Sequence, residues 1–297
     1  MRALLTGASG FVGGYLAAHL EASGDSVAAL DDAIDLGNPE GGEALAAQLA
    51  AENADVIFHL AALTHVGRSW DDPAETMRVN ALGTLSVLEA ARAQSSPPRV
   101  MLISSSEVYG AGRGQPIRED DELRPVTPYA ASKVSAEFLG LQAFVGRGLD
   151  VVRARPFNHI GPGQADSFVV SALARRIVEA ERAGGGTIQV GNLGAARDFT
   201  DVRDVVRAYR LLALEGEAGE VYNVCSGVAR QIEELFKILS AHSTAAVEAE
   251  EDPELFRPVD VPTLVGDNSR LVALVGWRPE IDIAETLLAV LDYWRAR

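Results

Sequence analysis

The tightest constraint on this chain is the turn Thr6-Gly7-Ala8-Ser9-Gly10-Phe11-Val12-Gly13, which joins a short apolar run to a longer amphipathic one. A strand that ends in such a turn and restarts as a helix leaves free N–H groups and the positive end of the helix dipole facing outward. That arrangement suits a diphosphate. Gly7 permits the tight turn, Gly10 lets backbone approach a pyrophosphate, and Gly13 lets helix and strand pack closely. Phe11 and Val12, in the first helical turn, belong to the same candidate cofactor site. The spacing is a variant of the dinucleotide fingerprint, and a glycine triplet alone is weak evidence. Its place at the first strand–helix junction gives it weight.

The first half of the chain repeats this alternation. Strands are expected at 3–5, 26–30, 55–60, 99–103 and 150–154, and helices at 11–22, 43–52, 74–94 and 129–147. Near-continuous apolar strands alternating with helices predict an α/β fold, a Rossmann-type doubly wound parallel sheet covered on both faces. After Pro156 shorter elements mix with Gly- and Pro-rich loops. Helices are expected at 168–182, 202–214, 232–242 and 283–295. This half reads as a smaller α/β substrate-binding lobe closing over the carboxyl edge of the sheet. The expected division puts 1–156 and about 197–226 in the dinucleotide-binding domain. It puts 157–196 and 227–297 in the lobe.

Bulk properties narrow the function. A net charge of −16 argues against nucleic acid or an anionic membrane surface as partner. The single cysteine, Cys225, excludes a disulfide framework, and the five histidines show no metal-ligand spacing. There is no apolar run long enough for a membrane span and no signal peptide, so a soluble cytoplasmic enzyme is expected.

The chemistry is carried by Tyr129 and Lys133, in Pro128-Tyr-Ala-Ala-Ser-Lys133, with Ile103-Ser-Ser-Ser-Glu-Val-Tyr-Gly110 upstream. Residues four apart share a helix face. An adjacent ammonium favours phenolate, so the phenol of Tyr129 is expected to titrate closer to neutrality. Such a group exchanges a proton with a carbonyl or alcohol oxygen. Ser105, with Ser106 beside it, can hold the same oxygen from a strand end. Any helix can carry Tyr-x-x-x-Lys by chance. Joined to the serine run and the glycine turn, it describes hydride transfer at a carbinol carbon.

Asp31, at the end of the second strand, is placed to accept hydrogen bonds from the adenosine ribose and to repel a 2′-phosphate. No Arg or Lys lies in 31–37, so NAD(H) is expected over NADP(H), which remains possible if a basic residue arrives from elsewhere. Asp35 and Leu36 are candidates for the adenine. Leu60, Ala61 and Ala62 place small residues where the cofactor passes, and Pro156 ends the last strand of the first half. Asn80 is expected to satisfy backbone behind the serine strand.

In this order the residues resemble the extended short-chain dehydrogenase/reductase family of nucleotide-sugar enzymes, the NAD-dependent epimerase/dehydratase family. The resemblance spans nearly the whole chain. It is strongest at Arg155-Pro-Phe-Asn-His-Ile-Gly-Pro-Gly-Gln164, Arg197-Asp-Phe-Thr-Asp-Val202, Val221-Tyr-Asn-Val-Cys-Ser-Gly227 and Phe256-Arg-Pro-Val-Asp-Val-Pro262. Within the family the chain is most similar to the reductases of the GDP-mannose branch. The resemblance implies a GDP-linked 4-keto-6-deoxyhexose as substrate and Ser105, Tyr129 and Lys133 as the catalytic set. It also implies a homodimer through helices 74–94 and 129–147. Arg197, Arg257 and Arg270 are then the candidates for the diphosphate, since a guanidinium grips phosphate oxygens in pairs. Asn158 and Asp260 are candidates for sugar or nucleoside, and His159 reads as structural. Glu107 stands where dehydratases of the family keep a carboxylate that works at C5 and C6. Those dehydratases carry Thr at the place of Ser105 and arginines after the second strand, and are longer. A reductase is therefore expected first and a 4,6-dehydratase second. A 4-epimerase or a non-catalytic dinucleotide sensor are the remaining readings.

Overall fold

The structure is a computed structural model that describes residues 1–112, 116–256 and 261–297. Strand and helix alternate through the first half as β1 (Arg2–Thr6), α1 (Phe11–Ala22), β2 (Ser26–Ala29), α2 (Pro39–Glu52), β3 (Val56–His59), α3 (Pro73–Met77), α4 (Gly83–Arg92), β4 (Arg99–Ile103), α5 (Pro128–Arg147) and β5 (Val151–Pro156). There follow β6 (Asn158–Ile160), α6 (Val169–Ala183), β7 (Gly186–Val190), β8 (Ala196–Asp201), α7 (Val202–Glu215), β9 (Val221–Val224), β10 (Ala229–Gln231) and α8 (Ile232–Ala241). The chain ends through β11 (Val247–Glu251), β12 (Thr263–Leu264), α9 (Ser269–Val275) and α10 (Ile283–Arg295).

The main sheet runs β2-β1-β3-β4-β5-β9, parallel throughout. β3, β5 and β9 are buried at every position, as strands covered on both faces must be. On one face α1, α7 and α9 close a core around Leu16, Leu20, Val205, Tyr209 and Leu271. On the other, α2, α4 and α5 bury Leu45, Leu49, Val87, Leu88 and Ala143. This is the doubly wound architecture expected from the alternation.

Two glycines of the first turn are required by contact. Gly7 has φ +71°, and a Cβ there would lie 2.8 Å from the Ala61 nitrogen. A Cβ on Gly13 would lie 2.2 Å from the Gly7 carbonyl oxygen.

The second lobe is built on β8, antiparallel to β10 and parallel to β12 and β6, with β7 and β11 paired nearby. Its core lies among α6, α8 and α10, around Leu173, Ile177, Leu235, Leu239 and Leu287. The segment 197–226 is shared: β8 belongs to the small sheet, whereas α7 and β9 pack into the large one. α9 and Trp277 also join the large core, although they follow residue 227. The expected helix 74–94 is interrupted by a π-helical turn at Arg78–Leu82, between α3 and α4. Asn80 sits in that turn, and such turns often mark functional segments. Among the described residues no helix is long and apolar enough to cross a membrane.

Candidate active site

The candidate catalytic groups meet where β4 ends. Ser105 caps a short 3₁₀ turn, Ser106–Tyr109, its hydroxyl accepting from the Glu107 N–H at 3.2 Å. α5 starts beside it. Thr127 caps that helix by accepting from the Ala130 N–H at 3.0 Å, and Pro128 occupies a first-turn position where its missing N–H costs nothing. This start brings the Tyr129 phenol beside the Ser105 hydroxyl. One turn on, Lys133 is buried and its Nζ donates to the Ile103 carbonyl at 2.9 Å. The structure thus gathers Ser105, Tyr129 and Lys133 at one sheet edge. Ser106 is buried in the turn that follows.

The electrostatics differ from the sequence expectation. Burial pushes the Tyr129 phenol up to about 12; the Ser105 hydroxyl opposes this and the nearby Glu107 charge adds to it. Burial also draws Lys133 down to about 8, against the pull of Glu137. The ammonium is spent on the Ile103 carbonyl, so desolvation governs the phenol. Tyr129 is therefore protonated at neutral pH, the form a proton donor needs.

The cofactor candidates line the same edge. Gly10 caps α1 without a side chain. Phe11 stacks parallel on His159 with ring centres 6.2 Å apart, and Val12 is half-buried beside it. Leu60, Ala61 and Ala62 follow β3 half-buried, and Ala61 N–H donates to Thr6 Oγ1 at 3.2 Å. Asp31 is exposed, its carboxylate accepting from Ala33 N–H. Asp35 accepts from Gly37 N–H at 2.9 Å and from Arg78 at 2.7 Å. Leu36 is buried in the α2–α4 core. Pro156 is buried at the end of β5, opposite Val224 of β9. The closed Gly7–Gly13 turn, with a helix N-terminus behind it, fits a dinucleotide. Asn80 departs from its expected role: its amide accepts from Leu63 N–H at 2.8 Å and donates to Leu63 O and Ser132 Oγ. It holds the loop after β3, not the serine strand.

An open cleft lies alongside, lined by Glu107, Thr127, Phe168, Arg197, His65 and Trp70 among others. Arg197, on β8, is buried and donates to the Ala196 carbonyl. Asn158 opens β6, opposite Phe199 of β8. Arg270 lies apart: it pairs with Glu220 at 3.1 Å and Glu119 at 3.8 Å, and reaches the Val221 carbonyl at the starting end of β9. Its charge is answered by those two carboxylates, and it is not among the residues that line the cleft. Arg257 and Asp260 lie outside the described residues. Sequence reasoning missed Thr127, Phe168 and the His65–Trp70 wall. Only Thr127 carried a signal, a capping residue before Pro128.

Beneath the site a buried network ties its parts together. Glu137, one turn beyond Lys133, accepts from Ser104 Oγ at 2.5 Å and from Arg155 at 2.6 and 2.8 Å. Arg155 also donates to the Tyr109 hydroxyl, which donates to Asn223.

Comparison with known proteins shows the family of the chain. The sequence pattern of the family described as GDP-mannose 4,6 dehydratase matches residues 37–289. GDP-6-deoxy-D-mannose reductase of Pseudomonas aeruginosa is 41% identical over 100% of this chain and 98% of its own length. The structure of RMD from Pseudomonas aeruginosa complexed with NADPH superposes with a TM-score of 0.90 at 40% identity, covering 100% of this chain and 99% of the other. UDP-glucose 4-epimerase of Thermus thermophilus, in complex with NAD, gives a TM-score of 0.87 at 29% identity, covering 99% of each chain. The chain belongs to the GDP-mannose 4,6-dehydratase family of short-chain dehydrogenases/reductases, enzymes that work on nucleotide sugars with a nicotinamide dinucleotide.

Proposed function

We propose that the chain reduces the C4 ketone of GDP-4-keto-6-deoxy-D-mannose to GDP-D-rhamnose. The observation that carries this reading is the full-length likeness to a GDP-6-deoxy-D-mannose reductase, joined to a Tyr129 phenol that burial raises, beside Ser105 and one turn from Lys133. When bound, the reduced nicotinamide supplies the hydride. The residues do the rest. Ser105 holds the C4 oxygen. Tyr129 donates its proton as that oxygen gains charge, and Lys133 turns from the Ile103 carbonyl to the cofactor ribose and stabilises the phenolate left behind. Arg197, on the cleft wall, meets the diphosphate. Relatives are solved with NADPH and with NAD, so the fold admits both. Asp31 favours NADH here.

Glu107 on the cleft wall supports a second reading, a 4,6-dehydratase that removes water from GDP-mannose and returns the hydride. Incubation with the 4-keto-6-deoxy sugar and NADH should consume one NADH per product, identified by NMR. Conversion of GDP-mannose to the keto sugar without added NADH would decide for the dehydratase.

The reading includes a homodimer. Leu82, Leu85, Phe138 and Val145 leave apolar surface exposed on the π turn, α4 and α5, with Phe138 57% exposed and Val145 74%. A helix apolar on two faces buries the second against a partner, and a twofold pair closes such a patch. Leu88 and Ala143 from the same helices fill the subunit's own core. Light scattering should report twice the 31.5 kDa chain mass; a monomer at micromolar concentration would remove this part.

A further inference from the structure

In the proposed function the loop after β2 holds the adenosine end of the cofactor, and the inference rests on that placement. The loop carries Asp31, Asp32 and Asp35, all exposed, and no cation of its own. The fold supplies one from the π turn. Arg78 lies across the loop, with Nη1 2.7 Å from Asp35 Oδ2 and 3.3 Å from Asn38 Oδ1. It sits so close that a Cβ on Gly37 would come within 2.3 Å of it. On its other side Nε and Nη2 donate to the two oxygens of Glu75, each at 2.7 Å. Arg78 is raised above the usual arginine range, first by Glu75 and then by Asp35. One guanidinium therefore answers two carboxylates, and the cluster keeps a net negative charge before Asp31 and Asp32 are counted.

We propose that this double pairing sets the choice of cofactor: Glu75 occupies the bidentate side of Arg78, so the cation that the π turn brings to the loop is closed to a 2′-phosphate and the site takes NADH. Glu75 is then a specificity residue that touches no cofactor atom. A guanidinium released from it would face outward from the loop, where Arg78 is already 31% exposed at the side chain. Its fork matches a phosphate as well as it matches a carboxylate. Asp35 alone would still anchor the other nitrogen to the loop, so release does not cost Arg78 its position. The absence of basic residues in 31–37 is thus half of the device, and Glu75, 38 residues beyond Gly37, is the other half.

The test is the dissociation constants of NADH and NADPH, read by ligand fluorescence without turnover, for the wild type, Glu75→Gln and Glu75→Gln with Arg78→Met. Glu75→Gln should tighten NADPH about tenfold, the worth of one charge-assisted hydrogen bond at a half-exposed site, and leave NADH within about twofold. The double variant should lose that gain. Equal NADPH-to-NADH ratios in wild type and Glu75→Gln, or a wild type that already binds NADPH more tightly, overturns the proposal. Binding of neither dinucleotide overturns the reading of the glycine turn and this proposal with it.

Discussion

Tyr129→Phe should lower turnover by about 10²–10⁴-fold, the range for removal of a general acid, while leaving dinucleotide affinity within a small factor of wild type. The expectation rests on position and protonation together. The phenol is buried beside Ser105 and burial holds it near 12, so at neutral pH it carries the proton that the proposed reduction calls for. The same site sets a pH limit on the wild type. Lys133 is drawn below the usual lysine range to about 8, so its charge is present below that pH and lost above it. kcat/KM should therefore fall as pH rises through about 8, with Tyr129 still protonated there. A Tyr129→Phe enzyme within two- or threefold of wild type would sink the assignment. A profile flat to pH 10 would remove Lys133 as the group that stabilises phenolate.

The parts legible in the sequence were those that local pattern controls. The parallel sheet follows from alternating apolar strands and helices, and α1 and α10 start and stop where periodicity and caps put them. Ser105, Tyr129 and Lys133 fall together because a strand end and a helix start are both local signals. What was not legible depended on distant partners. Nothing in the sequence of Arg270 says that Glu119 and Glu220 will answer its charge. The downward shift expected for Tyr129 assumed an ammonium aimed at the phenol, yet the Ile103 carbonyl, 30 residues away, holds it. Arg78 was invisible as part of the β2 loop because it arrives 43 residues after Asp35. Asn80 goes to Leu63 because a π turn rotates it there, and no propensity marks that turn.

The other large effect is on stability. Glu137→Leu should destabilise the fold by about 3–5 kcal/mol, the cost of stranding one member of a buried ion pair. Glu137 is 1% exposed and Arg155 3%, and the carboxylate takes two N–H groups of that guanidinium as well as the Ser104 hydroxyl. Without it, a buried cation loses its counter-charge and a buried hydroxyl its acceptor at once. The melting temperature should drop by on the order of 10 °C. Arg155→Met added to Glu137→Leu should recover much of the loss, since removing both charges of a buried pair is often near neutral. Recovery will be partial, because Arg155 also donates to the Tyr109 hydroxyl and the Glu119 carbonyl. The pair thus joins α5, which carries Tyr129 and Lys133, to β5 and to the turn that carries Ser105 and Glu107. Arg2 and Asp55 make a bidentate pair of similar geometry, but it stands in solvent at 47% and 45% side-chain exposure. Breaking that pair with Arg2→Ala should change the melting temperature little, because neither group is left desolvated. A Glu137→Leu variant as stable as Arg2→Ala would show that the network beneath the site is not what holds its two halves in register.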